Sequence, residues 1–335
     1  MQVLIIKMSS LGDVVHMLPE LSDARIAAPG IHFDWVVEGA FAEIPRWHPS
    51  VQRVIPCALR RWRRNPVHAL RSGEWRHFRE ELRRTPYDLV LDAQGLLKSA
   101  WLAGCARGLC AGPGRDSARE TLAAFFYQKK IRVPRHDQAH AVQRMRLLFA
   151  RALGYVDPAG PPDFGLTREQ FTVPSLPRPY AVLLHATTWP TKCWPENSWV
   201  ELGAWLGAQG IRSVLPWGNE GERESAVRIA AACDGVVLPR MSLGELAGTL
   251  AHARFAVGVD TGLAHLAAAV GTPSVTLYGP TRPDLTGTIG ENQLHLCSSD
   301  AAAIDRDRPT TVPVPQVQAA LSPWLSGAPV PAAPR

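Results

Sequence analysis

Asp13 closes the run Lys7-Met8-Ser9-Ser10-Leu11-Gly12-Asp13, which follows the apolar stretch Val3–Ile6 and precedes an apolar helical pattern opening at Val14. Open α/β sheets bind ligands at the C-terminal ends of their strands, so a carboxylate at this handover is placed to act as a general base facing an interdomain cleft. The plain alternative is that Asp13 only N-caps the following helix. A second handover, Val259-Asp260-Thr261-Gly262-Leu263-Ala264-His265, leads from a strand into an alanine-rich helix closed by Gly271. Amides at such a helix start bind phosphate. Asp260 or Thr261 can cap the helix, Gly262 lets a ligand approach the backbone, and His265 lies one turn in. A small-residue helix packed on its sheet would show the same pattern.

A third loop, His185-Ala186-Thr187-Thr188-Trp189-Pro190-Thr191-Lys192, follows the apolar run Ala181–Leu184. Two hydroxyls and an ammonium at a strand end suit a diphosphate. A lone loop lysine is usually just solvated, but Lys192 shares its half of the chain with the Asp260–His265 loop. Farther on, Glu220 or Glu222 in Pro216–Glu222 is placed to accept from ribose hydroxyls or to cap the next helix. Met241, just before a capping box formed by Ser242 and Glu245, fits an adenine face or an ordinary core.

Charge separates these loops from a different feature. The chain of 335 residues carries a formal net charge of +6, yet the window from Arg53 to Arg84 alone holds ten arginines against Glu74, Glu80 and Glu81. Its densest part, Arg60-Arg61-Trp62-Arg63-Arg64, suits polyanions through guanidinium forks. No nucleic-acid motif accompanies it, so the phosphates or carboxylates of an anionic lipid are the expected partner and nucleic acid is not. A solvated helix face is the alternative.

The elements that must position these groups come in two series. Val3–Ile6, Phe33–Val37 and 88–91 read as strands, and Ala139–Leu153 as an amphipathic helix ended by Gly154. Prolines at 158, 161, 162, 174, 177 and 179 interrupt regular structure. Strands then resume at Ala181–Leu184, Ser213–Leu215, Val236–Leu238, Phe255–Val259 and Ser274–Tyr278. The expected architecture is two Rossmann-like, doubly wound α/β domains facing across a cleft, over residues 1–165 and 166–325, with a Pro- and Ala-rich tail over 326–335. A hydrophobic fraction of 46% and a charged fraction of 20% exclude disordered and fibrous classes.

The six cysteines lack C-x-x-C spacing or a nearby histidine ligand pattern, so no metal site is expected. Asp305-Arg306-Asp307 matches a metal-binding D-x-D only superficially, being off any strand end. Neither G-x-G-x-x-G nor a P-loop is present, which argues against dinucleotide oxidoreductases and P-loop enzymes. The N-terminus lacks signal-peptide features and no apolar run reaches the ~18 residues of a membrane span. A cytoplasmic protein with at most peripheral membrane contact is expected.

Taken together, Val-Leu-Ile-Ile-Lys…Ser-Ser-Leu-Gly-Asp-Val at the start, Phe33–Glu38, Arg60-Arg61-Trp62-Arg63, Asp92-Ala93-Gln94-Gly95-Leu96, His185–Thr188 and Val259–Leu263 resemble the lipopolysaccharide heptosyltransferases, those of type I most closely, to about residue 290. The resemblance implies a GT-B fold and an inverting, metal-independent transfer of L-glycero-D-manno-heptose from ADP-heptose to the Kdo of Kdo2–lipid A at the cytoplasmic face of the inner membrane. No cofactor beyond the nucleotide-sugar substrate is implied. Asp13 would be the base. Thr187, Thr188 and Lys192 would meet the diphosphate, Asp260, Thr261, Gly262 and His265 would complete the donor site, and Glu222 and Met241 would meet ribose and adenine. Arg60, Arg61, Arg63 and Arg64 would face the acceptor, as would Arg119, which lies in a stretch resembling the family's acceptor side. Pro190-Thr191 stand where the family pattern has an acidic pair, which bears on donor contacts there. A type II heptosyltransferase, a same-fold nucleotide-sugar epimerase and a non-catalytic polyanion-binding module are the competing expectations.

Overall fold

The computed structural model describes residues 1–298 and 309–325, so Asp305-Arg306-Asp307 and the tail lie outside the described residues. The chain divides into two compact units, Met1–Gly165 and one beginning at Leu166. Each contains a six-stranded parallel sheet. In the first, β1 (Gln2–Ile6), β2 (His32–Glu38), β3 (Val51–Cys57), β4 (Leu89–Asp92), β5 (Leu109–Pro113) and β6 (Lys129–Ile131) lie in the order β3-β2-β1-β4-β5-β6. In the second, β7 (Tyr180–Leu184), β8 (Arg212–Leu215), β9 (Val236–Val237), β10 (Phe255–Val259), β11 (Ser274–Tyr278) and β12 (Gln293–Cys297) lie in the order β12-β11-β10-β7-β8-β9. Both are the doubly wound arrangement. Strand order reverses beside β1 in one sheet and beside β7 in the other, which opens a crevice at the strands' C-terminal ends.

The central strands are fully buried, as parallel strands covered on both faces must be. In register, Leu4 pairs with Asp34 and with Val90, and Gly258 with Leu184. In the second unit, Trp199, Leu202 and Leu206 recur at helical spacing along Glu196–Ala208 and pack with Trp194, Phe255 and Trp324. The helix Leu243–Ala251 starts with the capping box read from sequence: Ser242 Oγ accepts from Glu245 N–H at 3.2 Å, and Glu245 Oε2 accepts from Ser242 N–H at 2.7 Å. Gly248 on this helix is needed for packing, because a Cβ there would meet the Thr172 carbonyl oxygen at 2.4 Å.

Four strands escape the sequence pattern. β3, β6 and β12 are edge strands, which need not be continuously apolar. β3 carries Arg53, whose guanidinium binds Asp34 of β2 at 2.9 Å, Glu81 at 3.2 Å and the Tyr87 hydroxyl at 2.7 Å. That arginine belongs to the charge-rich window yet is consumed inside the fold. β5 ends in Gly112-Pro113, which disguises it as a turn. The helix expected over 139–153 begins at Ala141.

In the first unit, the helices Leu18–Ala27 and Ala141–Leu153 are clasped by a bidentate pair in which Arg146 donates to Asp23 at 2.6 and 3.0 Å. Beside it, burial pushes the Glu20 carboxyl well above its ordinary value of 4.5. The folded state therefore binds this proton more tightly than the unfolded chain, and stability falls as pH rises above 4.5. Glu20→Gln is expected to raise unfolding free energy at pH 7 by roughly 1–3 kcal/mol, the usual cost of burying an uncompensated polar group, and to flatten the fall in stability above pH 4.5 in thermal melts.

Candidate active site

Asp13 stands in the first turn of the short helix Leu11–Val15, which follows the turn after β1. It does not N-cap that helix. Ser10 occupies the cap position, and Asp13, three residues on, turns back so that Oδ2 accepts from Ser10 N–H at 3.0 Å and from Ser10 Oγ at 2.9 Å. Its other oxygen, Oδ1, takes the Lys7 ammonium at 3.2 Å. Burial alone would push the carboxyl up, but the Lys7 charge and the Ser10 hydrogen bonds outweigh it and hold Asp13 well below the usual carboxylate range. Lys7 meets Asp13 here although motif spacing gives no reason to pair the two.

The turn is held by residues from two other strands, β2 and β4, and the loop after β4. Gln94 accepts from Met8 N–H at 2.7 Å and donates to the Ser9 carbonyl at 3.0 Å. Trp35 Nε1 donates to the Lys7 carbonyl at 2.9 Å. Asp92, buried at the end of β4, accepts from Gln94 N–H, Gly95 N–H, Ser99 Oγ and Tyr127 Oη at 2.7 to 3.1 Å. Gly95 has φ +67°, and a Cβ on it would stand 3.3 Å from the Arg119 amide. The Asp92–Leu96 and Phe33–Glu38 segments therefore hold the turn that presents Asp13.

Arg144, on the helix Ala141–Leu153, is lowered by burial and by the neighbouring Arg119 charge, against the opposing charges of Asp137 and, to a smaller extent, Asp13. Arg60, Arg61, Arg63 and Arg64 form an exposed helix of their own, Leu59–Arg64. Arg61 is engaged by Glu74 at 2.6 Å, whereas the other three make no ion pair among the described residues.

In the second unit, the loop after β7 folds into a short turn over Pro190–Lys192, braced where Thr310 N–H donates to the Thr191 carbonyl at 3.0 Å. Pro190-Thr191 thus serve the turn's geometry. Lys192 Nζ sits over the Trp189 ring at 4.9 Å and donates to Asp260 Oδ2 at 2.6 Å. Thr281 Oγ1 donates to the same oxygen at 2.7 Å, and His265 Nε2 lies 3.7 Å from Oδ1. Burial would raise the Asp260 carboxyl, but the His265 ring and the Lys192 ammonium hold it well below the usual range. Thr281, from the loop after β11, was not visible in the motif. Thr261 occupies the cap position of the helix Gly262–Ala269, without a side-chain cap bond.

Next to this cluster, a cavity of about 360 Å3 is lined by His185, Thr187, Thr188, Asn219 and Glu222 among others. The helix Glu220–Cys233 is capped by Asn219, which accepts from Glu222 N–H at 3.1 Å; neither Glu220 nor Glu222 is the cap. Glu222 Oε2 accepts from Gly218 N–H at 2.7 Å, which fixes its carboxylate at the rim. Met241 is half-buried and outside that lining, with Sδ 3.9 Å from Thr249 Oγ1.

Two strand-end sites of this kind suit a nucleotide-sugar enzyme, and comparison with known proteins decides which kind. The model of glycosyltransferase family 9 (heptosyltransferase) matches residues 75–314. The chain belongs to glycosyltransferase family 9. This family 9 transferase is 54% identical over 300 residues to lipopolysaccharide heptosyltransferase 1 of Pseudomonas aeruginosa, covering 89% of this chain and 84% of the relative. It is 50% identical over 297 residues to the Escherichia coli K12 protein of the same name, covering 88% and 92%. Its structure matches E. coli heptosyltransferase WaaC with ADP at a TM-score of 0.89 and 45% identity, covering 97% and 100% of the two chains. Each unit has the α/β architecture of that GT-B fold, and the transferase resemblance read from the motifs holds.

The Lys192–Asp260 pair carries a stability consequence. A carboxyl whose folded pKa lies below its unfolded value stabilises the fold above that value, 3.8 here, and loses the contribution as pH falls through the folded one. Lys192→Met should lower unfolding free energy by about 3 kcal/mol at pH 7, the low end for breaking a buried pair. Urea titrations run from pH 7 downwards should show the gap from wild type narrowing below pH 4.

Proposed function

We propose that this family 9 transferase moves L-glycero-D-manno-heptose from ADP-heptose to the Kdo of Kdo2–lipid A, with inversion and without a metal ion. The observation that carries the donor assignment is the Lys192–Asp260–His265 cluster beside the Thr187, Thr188 and Glu222 cavity, at the point where strand order reverses in the second sheet. In this reading residues 166–325 hold the nucleotide sugar and residues 1–165 the acceptor. The E. coli structure with ADP-2-deoxy-2-fluoro heptose supports this donor, and the relatives named lipopolysaccharide heptosyltransferase 1 support a lipopolysaccharide acceptor.

Inversion requires a base on one face of the anomeric carbon and a stabilised leaving group on the other, through an oxocarbenium-like transition state. The acceptor hydroxyl oxygen bonds to the anomeric carbon, the bond from that carbon to the β-phosphate oxygen breaks, and the hydroxyl proton passes to Asp13. Lys7 keeps Asp13 ionised at working pH and thereby makes it a weak base. Proton transfer is consequently late, after partial bonding to the cationic carbon has acidified the hydroxyl.

At the leaving group, Lys192 exchanges its contact with Asp260 for the departing diphosphate. The first amides of the helix Gly262–Ala269 add their partial positive charge. Those groups supply the charge that a divalent cation provides elsewhere. Glu222 and Met241 meet ribose and adenine, and Thr187, Thr188, Thr261 and His265 complete the donor contacts. Arg60, Arg63, Arg64 and Arg119 receive the anionic acceptor, with Arg61 held back by Glu74. The enzyme works at the cytoplasmic face of the inner membrane. No described helix is long and apolar enough to cross a membrane, and peripheral docking is the expected mode.

The test is a transfer assay with ADP-heptose and Kdo2–lipid A in excess EDTA, run beside titrations with ADP and UDP. Wild type should transfer heptose with undiminished turnover and bind ADP in preference to UDP. Asp13→Ala should lose roughly 10²–10⁴ in turnover while binding ADP as tightly as wild type. Full turnover by the variant would remove Asp13 from the mechanism. Transfer only to an acceptor already bearing one heptose would make the enzyme the type II kind.

A further inference from the structure

The first unit presents an apolar face that no part of the reaction uses. Leu97 and Trp101 stand one turn apart on the helix Leu97–Cys105, 38% and 46% exposed. The 3-10 segment Thr121–Phe126 packs against this helix and exposes Leu122, Phe125 and Phe126 at 59%, 62% and 44%. Ala123 and Ala124 between them are fully buried, so the segment is anchored through its small residues and turns its large ones outward. A folded enzyme that leaves two phenylalanines, a tryptophan and two leucines together in water pays for them elsewhere, and such patches mark interaction surfaces.

The face carries cations at its edge. The Arg115 guanidinium lies over the Phe125 ring, 5.1 Å from its centroid. Trp101 stacks on Trp75 at 5.1 Å, and Trp75 meets Trp62 edge-on at 5.7 Å. Trp62 belongs to the helix that displays Arg60, Arg63 and Arg64. These ring contacts link the apolar face to the helix bearing the arginine cluster, through Trp62, which is itself buried. Of the two exposed acids nearby, Asp116 remains, whereas Glu120 accepts from Leu97 N–H at 2.6 Å.

Exposed apolar side chains with a guanidinium at their edge are the chemistry of a protein that lies on an anionic bilayer, with rings seated among the upper acyl chains and arginine on phosphate. We infer that Leu97, Trp101, Leu122, Phe125 and Phe126, with Arg115, form a docking surface for an anionic lipid bilayer. The surface reaches the candidate acceptor site, since Arg119 precedes the 3-10 segment and neighbours Arg144, on which the Asp13 charge also acts. An acceptor sugar could then meet Asp13 while its acyl chains stay in the membrane. This location rests on the acceptor being lipid-anchored; the bilayer contact does not.

The experiment is flotation of the full-length protein, without donor or acceptor, on vesicles of phosphatidylethanolamine with phosphatidylglycerol and on vesicles of phosphatidylcholine alone. Wild type should float with the anionic vesicles and less with the neutral ones. The triple variant Leu122→Ser, Phe125→Ser, Phe126→Ser should lose at least ~10-fold in partitioning, given the apolar area removed. Its unfolding midpoint and ADP affinity should match wild type, as should its turnover on a deacylated, water-soluble acceptor. Equal flotation of variant and wild type overturns the proposal, as does failure of wild type to float on anionic vesicles. A concentration-dependent dimer that the triple variant abolishes, seen by sedimentation without lipid, would assign the face to a second copy and also overturn it. Flotation without heptose transfer would leave the surface standing and refute only the proposed reaction.

Discussion

Two aspartates just past strand ends stay ionised, and in each case an ammonium held against the carboxylate contributes to this, beside the Ser10 hydrogen bonds for Asp13 and the His265 ring for Asp260. Lys7 performs this for Asp13 and Lys192 for Asp260. Without its lysine each carboxylate would lose part of the compensation for its burial. Much of the surrounding architecture serves these contacts. Gln94, Trp35 and the buried Asp92 hub fix the turn that brings Lys7 to Asp13, and Trp189 and Thr310 fix the turn that brings Lys192 to Asp260. Both pairs lie where their sheets reverse strand order, the position at which a doubly wound sheet leaves room for a ligand.

The two pairs differ in kind. Lys7 and Asp13 neighbour each other along six residues of chain, and their contact is a local property of one turn. Lys192 and Asp260 are brought together by the parallel pairing of β7 and β10 and depend on the whole second sheet. In the proposed reaction a diphosphate would compete with Asp260 for one ammonium, which in the ligand-free chain is paired with that carboxylate. On that proposal the aspartate would keep its contacts with Thr281 and His265, which already surround it.

What the sequence discloses follows from how local each feature is. The central strands are legible because burial on both faces makes them continuous apolar runs, and the edge strands β3, β6 and β12 are not, because solvent allows arginine, lysine and histidine into them. Asp13, Lys192 and Asp260 are legible as charged residues just past strands. Lys7, Thr281 and Arg144 acquire meaning only from distances in space. The Asp92-Ala93-Gln94-Gly95 run is recognisable as a pattern, but its work as a hydrogen-bond hub rests on Tyr127 and Ser99 from elsewhere. The apolar face is the least legible of all: Leu122-Ala-Ala-Phe-Phe reads as core, and only the burial of its alanines shows that the larger side chains point outward.

Neither sheet borrows a strand from the other. All six strands of the first come from the first 131 residues, and its closing helix ends at Leu153. The Asp92 hub and the Arg146–Asp23 clasp are likewise complete before the second unit begins. During synthesis, then, the N-terminal half can condense into its native sheet while the ribosome is still making β7, so that slow parallel-strand pairing proceeds in two shorter searches instead of one. The division into self-sufficient sheets is thus also a timetable for folding.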